Sequence, residues 1–151
     1  MTSWRWIGLG FGLVFLNLSL TFGNVWPTLG VRLTGDLSIE LAAVAFAAVL
    51  AWRWTKTRFR GTLCWLSGFW VVLVVGRYAD VTARSLYGRD INLFWDLRHM
   101  PNVGAMFAAV ADPWFRVGIV VVVLGILVAM YAMVRWALVR LVEATFDAHA
   151  R

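Results

Sequence analysis

Between Val117 and Val134 the chain carries no charged residue, and nearly every position is apolar. A bilayer core about 30 Å thick needs roughly 17 to 25 such residues in helical form. A second charge-free run extends from Trp6 to Val31 behind Arg5. These runs constrain the fold more than any other feature, because a water-soluble domain must clothe its surface in polar side chains. Only 15% of this 151-residue chain is charged, against 62% hydrophobic residues that include ten Trp. Soluble domains carry about 25% charged residues. The expected class is therefore all-α: a polytopic membrane bundle of about four transmembrane helices, forming one membrane domain over 1–151.

The spans are expected at about 4–25, 37–54, 62–78 and 117–139. Pro27, which fixes φ and lacks an N–H, is expected to stop the first. Arg5 followed by Ile7 to Leu20 also has the form of a signal peptide. That apolar region is long, however, and no Ala-x-Ala-like site follows it, which favours a retained helix. Glu40 and Arg53 sit near the ends of the second span, where long side chains reach the headgroups. Gly8 and Gly12 in the first span, and Gly118 and Gly125 in the last, are small residues at spacings that let helices approach closely. Intramolecular packing is favoured over a dimer face.

The net charge of +6 does not point to nucleic acid. Basic residues lie in short clusters at the ends of apolar runs, as residues that set membrane orientation do. The stretch "RWTKTRFRG" holds Arg53, Lys56, Arg58 and Arg60 with no acid. It is expected in the cytoplasm, which places both termini inside and the segments 27–40 and 79–116 outside. Arg135 and Arg140 agree with this orientation. The tail "VRLVEATFDAHAR" then ends as a cytoplasmic helix on the membrane, with His149 solvated. The lone Cys64 lies inside an apolar run and offers neither a disulfide framework nor a metal cluster.

The segment 79–116 is too long for a turn and too polar for a span. It reads as a polar extension of the third helix (Arg77 to Tyr87), a break at Gly88 and a short amphipathic piece (Ile91 to Arg98). After Pro101 an interfacial or re-entrant piece follows (Val103 to Val110), and "ADP" precedes the last helix. At helical spacing Arg77, Asp80 and Arg84 share a face, with Tyr87 a turn further on; Asp96 and His99 share another. With Arg89 and Arg98 these are the candidate lipid- or partner-binding residues. Three readings stand open. They are an interfacial belt of Arg–Asp pairs and aromatics, a surface for lipid phosphates matched by arginine forks, and a metal or acid–base site from Asp80, Asp90, Asp96 and His99. No ligand spacing supports the last, and no P-loop, Ser–His–Asp order or dinucleotide signature occurs. No catalytic residue, metal or cofactor is assigned.

The stretch "NLSLTFGNVWPTLGVRLTGDLSIELA" (17–42) carries Asn24, Trp26, Pro27, Thr28, Ser38, Glu40 and Leu41. The stretch "GRYADVTARSLYGRDINLFWDLRHMPNVGAMFA" (76–108) carries Arg77, Tyr78, Asp80, Val81, Thr82, Tyr87, Gly88, Arg89, Asn92, Trp95, Asp96, Arg98, His99 and Pro101. In this order they resemble the N-terminal membrane region of bacterial sulfatase-like proteins. Those belong to the alkaline-phosphatase superfamily, near the phosphoglycerol and phosphoethanolamine transferases. The resemblance implies a bacterial inner-membrane location. It also implies a Thr or Ser nucleophile and metal ligands in a soluble domain that would follow the helices. The sequence stops at Arg151, so none of those positions can be carried over. The expectation is a shortened member, a separately encoded membrane half or a truncated frame, non-catalytic by itself. Membrane lipids, a separate soluble sulfatase-like domain or a larger membrane complex are the implied partners. A small transporter or channel subunit, with Asn17, Ser19 and Ser67 as its polar lining, is the alternative, as is a structural subunit.

Overall fold

A computed structural model describes residues 3–25, 28, 30–55, 60–90 and 92–148. Pro27, Lys56, Arg58 and His149 lie outside these residues. The described chain is almost wholly helical, as the all-α expectation requires: α1 (Ser3–Leu18), α2 (Ile39–Thr55), α3 (Arg60–Tyr87), α4 (Leu93–Val110) and α5 (Pro113–Ala148). A two-residue hairpin, β1 (Gly23–Asn24) with β2 (Val31–Arg32), lies between α1 and α2, pairing Gly23 with Arg32 and Asn24 with Val31.

The first helix is shorter than the expected 4–25 and stops at Leu18. Hydropathy is not what ends it. The Ser19 hydroxyl donates to the Leu16 carbonyl at 2.7 Å and Thr21 donates to that of Asn17 at 3.0 Å, so side chains satisfy the last carbonyls. The Thr34 hydroxyl donates back to the Thr21 carbonyl and holds the hairpin's far arm against this turn. Asn17 then ties two helix ends together. Its amide donates to the Asp36 carbonyl at 2.8 Å, and its oxygen accepts from the Ser38 N–H at 2.8 Å. Ser38 caps α2, accepting from the Leu41 N–H at 3.2 Å and donating to Glu40 at 2.7 Å.

Helices α1 and α5 pack antiparallel through their small residues. A Cβ on Gly12 would lie 3.3 Å from the Ala137 Cα, and one on Gly8 would lie 3.9 Å from Arg140 Nε. The close approach expected of Gly8 and Gly12 is intramolecular. Nothing lies within 4 Å of where a Cβ on Gly118 or Gly125 would stand. Leu16, Trp70, Val134, Ala137 and Leu138 form the core where α1, α3 and α5 meet. Trp70 is fully buried and its indole N–H donates to the Ser19 hydroxyl at 3.0 Å. The Ser67 hydroxyl bonds its own helix at the Leu63 carbonyl, 2.6 Å away.

These contacts group the chain ends. The start of α1, the start of α3 and the end of α5 share one end of the bundle. The turn after α1, the hairpin and the end of α3 share the other. Among the described residues two helices are long and apolar enough to cross a membrane: Gly61–Tyr87 within α3 and Pro113–Ala144 within α5. In their most apolar windows only 17% and 6% of residues are buried. A core helix of a soluble domain is instead covered by its neighbours. Both outrun the expected 62–78 and 117–139. At about 1.5 Å per residue α5 is some 54 Å long, and Asp112 starts it early by accepting from the Trp114 N–H at 2.9 Å. Helices α1 and α2 have 16 and 17 residues and fall below that length.

Candidate functional site

The polar end of the bundle is built from the end of α3, the break after it and the start of α4. Helix α3 runs past Arg77 to Tyr87, so the first part of the 79–116 segment is continuous helix. Gly88 ends it with φ +64, a left-handed conformation that side chains disfavour, and donates its N–H to the Arg84 carbonyl at 3.0 Å. Asn92 then caps α4, its side-chain oxygen accepting from the Phe94 and Trp95 N–H groups at 3.2 and 3.3 Å. The two pieces expected on either side of Pro101 are one helix, with Pro101 inside it. Proline removes one helical donor and crowds the preceding turn, which is why the sequence reads as a stop. Residues on both sides of it nevertheless keep helical geometry, and all of 98–110 is exposed.

Six candidate or neighbouring charges join into an alternating ladder. Arg77 donates from Nε to the Phe22 carbonyl at 3.3 Å, binding α3 to the turn that leads into the hairpin, and lies 4.0 Å from Asp80. Phe22 packs its ring 6.4 Å from that of Tyr78 beside this contact. Arg84 shares its Nε between Asp80 at 3.2 Å and Asp90 at 2.9 Å, across the Gly88 break. Arg89 grips Asp96 with both terminal nitrogens, at 2.8 and 3.3 Å, and reaches the Asp90 carbonyl at 3.4 Å. Asp96 accepts in turn from the Asn92 N–H at 2.9 Å, reciprocating the cap. The Arg89 bond, then the Asn92 N–H, holds the Asp96 carboxyl below the usual carboxylate range. Asp96 correspondingly raises Arg89.

The structure therefore brings Arg77, Asp80 and Arg84 together as the spacing indicates, and pairs Arg89 with Asp96. Asp90, Asn92 and the Phe22 carbonyl complete the network. No fixed helical spacing links them, because they lie across a break or on the main chain. Tyr87, Arg98 and His99 stand outside it, and all three are exposed. Tyr87 ends α3, while on α4 Arg98 and His99 neighbour the exposed Phe94, Trp95 and Met100, so the start of this helix carries aromatics beside a cation. Three Arg meet three Asp; the Arg89 fork is filled by Asp96, while Arg84 meets its two acids through Nε alone. The ladder ties the end of α3 to the start of α4.

Deeper in, the three polar residues considered for a transport path serve the fold: Asn17 joins helix ends, Ser19 receives Trp70, and Ser67 bonds its own helix. Buried polar atoms without a partner occur at the Asn24 amide, the Thr82 hydroxyl and Arg116 Nε. Among the described residues no group of three or more His, Cys, Asp or Glu side chains is placed to hold a metal ion. The fold and this polar end define a helical protein with two apolar, largely uncovered helices and an ion-paired cap. Compared with known protein families, curated proteins and solved structures, the chain matches none.

Proposed function

We propose that this chain is a multi-pass protein of a bacterial inner membrane whose outer segment engages lipid headgroups. Four helices span in this reading, α1, α2, α3 and α5, with both chain ends and the α2–α3 turn in the cytoplasm. The charges of Arg53, Lys56, Arg58 and Arg60 support that orientation. The two shorter helices fit a bilayer that thins locally or is met by snorkelling flanks, at a modest cost per ångström.

One observation carries the reading: the ion-paired ladder sits where two apolar helices end, and it fixes α4 beside them. Exposed ion pairs stabilise little, about 0 to 1 kcal/mol each. Their contribution here is position, since they set the angle at which α4 leaves α3. With Phe94, Trp95, Arg98 and His99 exposed along its first turns, α4 has the make-up of a helix lying in the headgroup layer. Arg98 is the fork left for a phosphate, while Arg77, Asp80, Arg84, Arg89 and Asp96 hold it in place and Tyr87 anchors the edge. The resemblance to the membrane region of sulfatase-like transferases supports a second reading, in which the same outer surface docks a catalytic domain encoded elsewhere.

Purification from its native membrane followed by mass spectrometry of bound lipids and proteins tests both. Co-purified phospholipid that is depleted by Arg98→Glu is the expected result. A soluble sulfatase-like protein retained on the wild-type chain would favour the docking reading. If neither a lipid nor a partner accompanies the protein, the outer-surface reading is dropped.

A further inference from the structure

At the opposite end of the bundle α5 carries a groove of about 460 Å³ that no part of the outer-segment reading uses. It begins at Tyr131, in the last turn of the charge-free run. Its lining comes from α5 alone: Tyr131 and Ala132, then Arg135 and Trp136, then Arg140 and Glu143 along the helix. On the helix axis this is a gradient from apolar to cationic over about 18 Å, at 1.5 Å per residue. Packing against α1 fixes the groove's middle. Phe11 meets the Trp136 ring edge-on at 6.0 Å, and the Arg140 guanidinium lies 5.8 Å from the Trp136 centroid. Glycine at position 8 leaves the space that Arg140 Nε approaches.

The charges do not cancel. Glu143 lies 3.5 Å from Arg140 and occupies that cation in part. Arg135 has no ion pair or hydrogen bond among the described residues and is exposed. An arginine fork beside an indole, directly above an uncovered apolar helix, matches a molecule with a phosphate at one end and a hydrocarbon chain at the other. Basic pockets at the cytoplasmic ends of membrane helices hold anionic headgroups in this way. A free anion would use the arginines and leave the apolar wall of the groove unmatched.

We propose that the groove at Tyr131–Glu143 is a binding site for an anionic phospholipid of the inner leaflet. Its phosphate is held by Arg135 and Arg140, its headgroup edge by Trp136, and its acyl chain lies along Tyr131 and the helix below. The site rests on the membrane reading but not on the outer-segment reading.

The test uses the full chain in phosphatidylcholine nanodiscs, after flotation has shown that it inserts. Phosphatidylglycerol, further phosphatidylcholine or inorganic phosphate is supplied, and adducts are counted by native mass spectrometry alongside a melting curve. Phosphatidylglycerol is expected to bind at least tenfold better than phosphatidylcholine and to raise the melting temperature, while phosphate does neither. Arg135→Gln, which breaks no internal contact, should lower that preference several-fold. Arg135→Lys should keep part of it, and Arg32→Gln, an exposed hairpin residue at the other end with no assigned binding role, should keep all of it. Equal binding of the two lipids, an undiminished preference in Arg135→Gln, or phosphate reproducing the effect overturns the site while leaving the membrane reading intact. Failure to float with vesicles overturns both.

Discussion

Asp96 shows how much of the polar end rests on single side chains. It accepts from both terminal nitrogens of Arg89 and from the main chain of Asn92, so one carboxylate locks the break after α3 to the first turn of α4. A negative charge in a helix's first turn is also favoured by the helix dipole. Because its folded pKa lies below the unfolded value of about 3.9, its stabilising effect is complete above that value. The effect disappears as pH falls through the lower, folded value. Protection of the amides at the start of α4 against their intrinsic exchange rate should therefore be constant above about pH 5, where Asp carboxyls are ionised. That protection should fall as acid protonates Asp96. Asp96→Asn should exchange faster throughout and lose this acid step; an unchanged step would remove Asp96 from the role. Gly12 is as tightly constrained as Asp96. With backbone 3.3 Å from where its Cβ would sit, Gly12→Leu forces α1 from α5 and should cost about 1 to 3 kcal/mol, as overpacking does. Gly10→Leu points into open space and should be near neutral in the same thermal melt in detergent.

Helix α4 joins a good start to a poor middle. Asn92 supplies a cap whose loss costs about 0.5 to 2 kcal/mol, whereas Pro101 disfavours the helix interior by about 3 kcal/mol relative to alanine. Pro101→Ala should slow amide exchange on both sides of position 101, and Asn92→Ala should speed it near Phe94 and Trp95. Opposite signs from the two variants are required; a matching sign would mean that contacts outside the helix govern it. The same helix marks the limit of what sequence pattern can disclose. The polar extension of α3 to Tyr87 and the break at Gly88 were legible because each rests on a local rule: charge spacing and left-handed glycine. The continuation through Pro101 was not, since a local rule forbids what the flanking turns tolerate. Nor was the end of α1 at Leu18, because hydroxyls of Ser19 and Thr21 stop a helix inside a run that hydropathy reads as unbroken. The hairpin at 23–24 and 31–32 has strands too short to show alternation. In the ladder, the i, i+3 and i, i+4 pairs on α3 follow from spacing. Arg84 with Asp90 depends on how the chain turns at Gly88.

For the whole molecule the governing fact is the apolar surface left uncovered along α5. Val121, Val122, Ile126 and Val128 are each about 60% or more exposed, and they belong to a continuous stretch that neighbouring helices do not cover. Monomers in water rarely leave contiguous apolar patches of more than a few hundred Å², and here a hydrocarbon phase is the natural covering. Which way the bundle faces then depends on cations near the ends of short loops. Ladder and groove lie at opposite ends of the bundle, so one orientation fixes the side of both. In a Cys64→Ser background, Tyr87→Cys at the ladder's edge should react with an impermeant maleimide in intact spheroplasts. Ala144→Cys near the groove should react only after lysis. Replacing Arg53, Lys56, Arg58 and Arg60 with glutamine removes the cations that, in the proposed orientation, keep the segment between α2 and α3 inside. It should give a mixed population in which both cysteines label in part. If Ala144→Cys labels fully in intact cells while Tyr87→Cys does not, the orientation is inverted. The headgroups at the ladder would then be those of the cytoplasmic leaflet, and the groove would face the outer one.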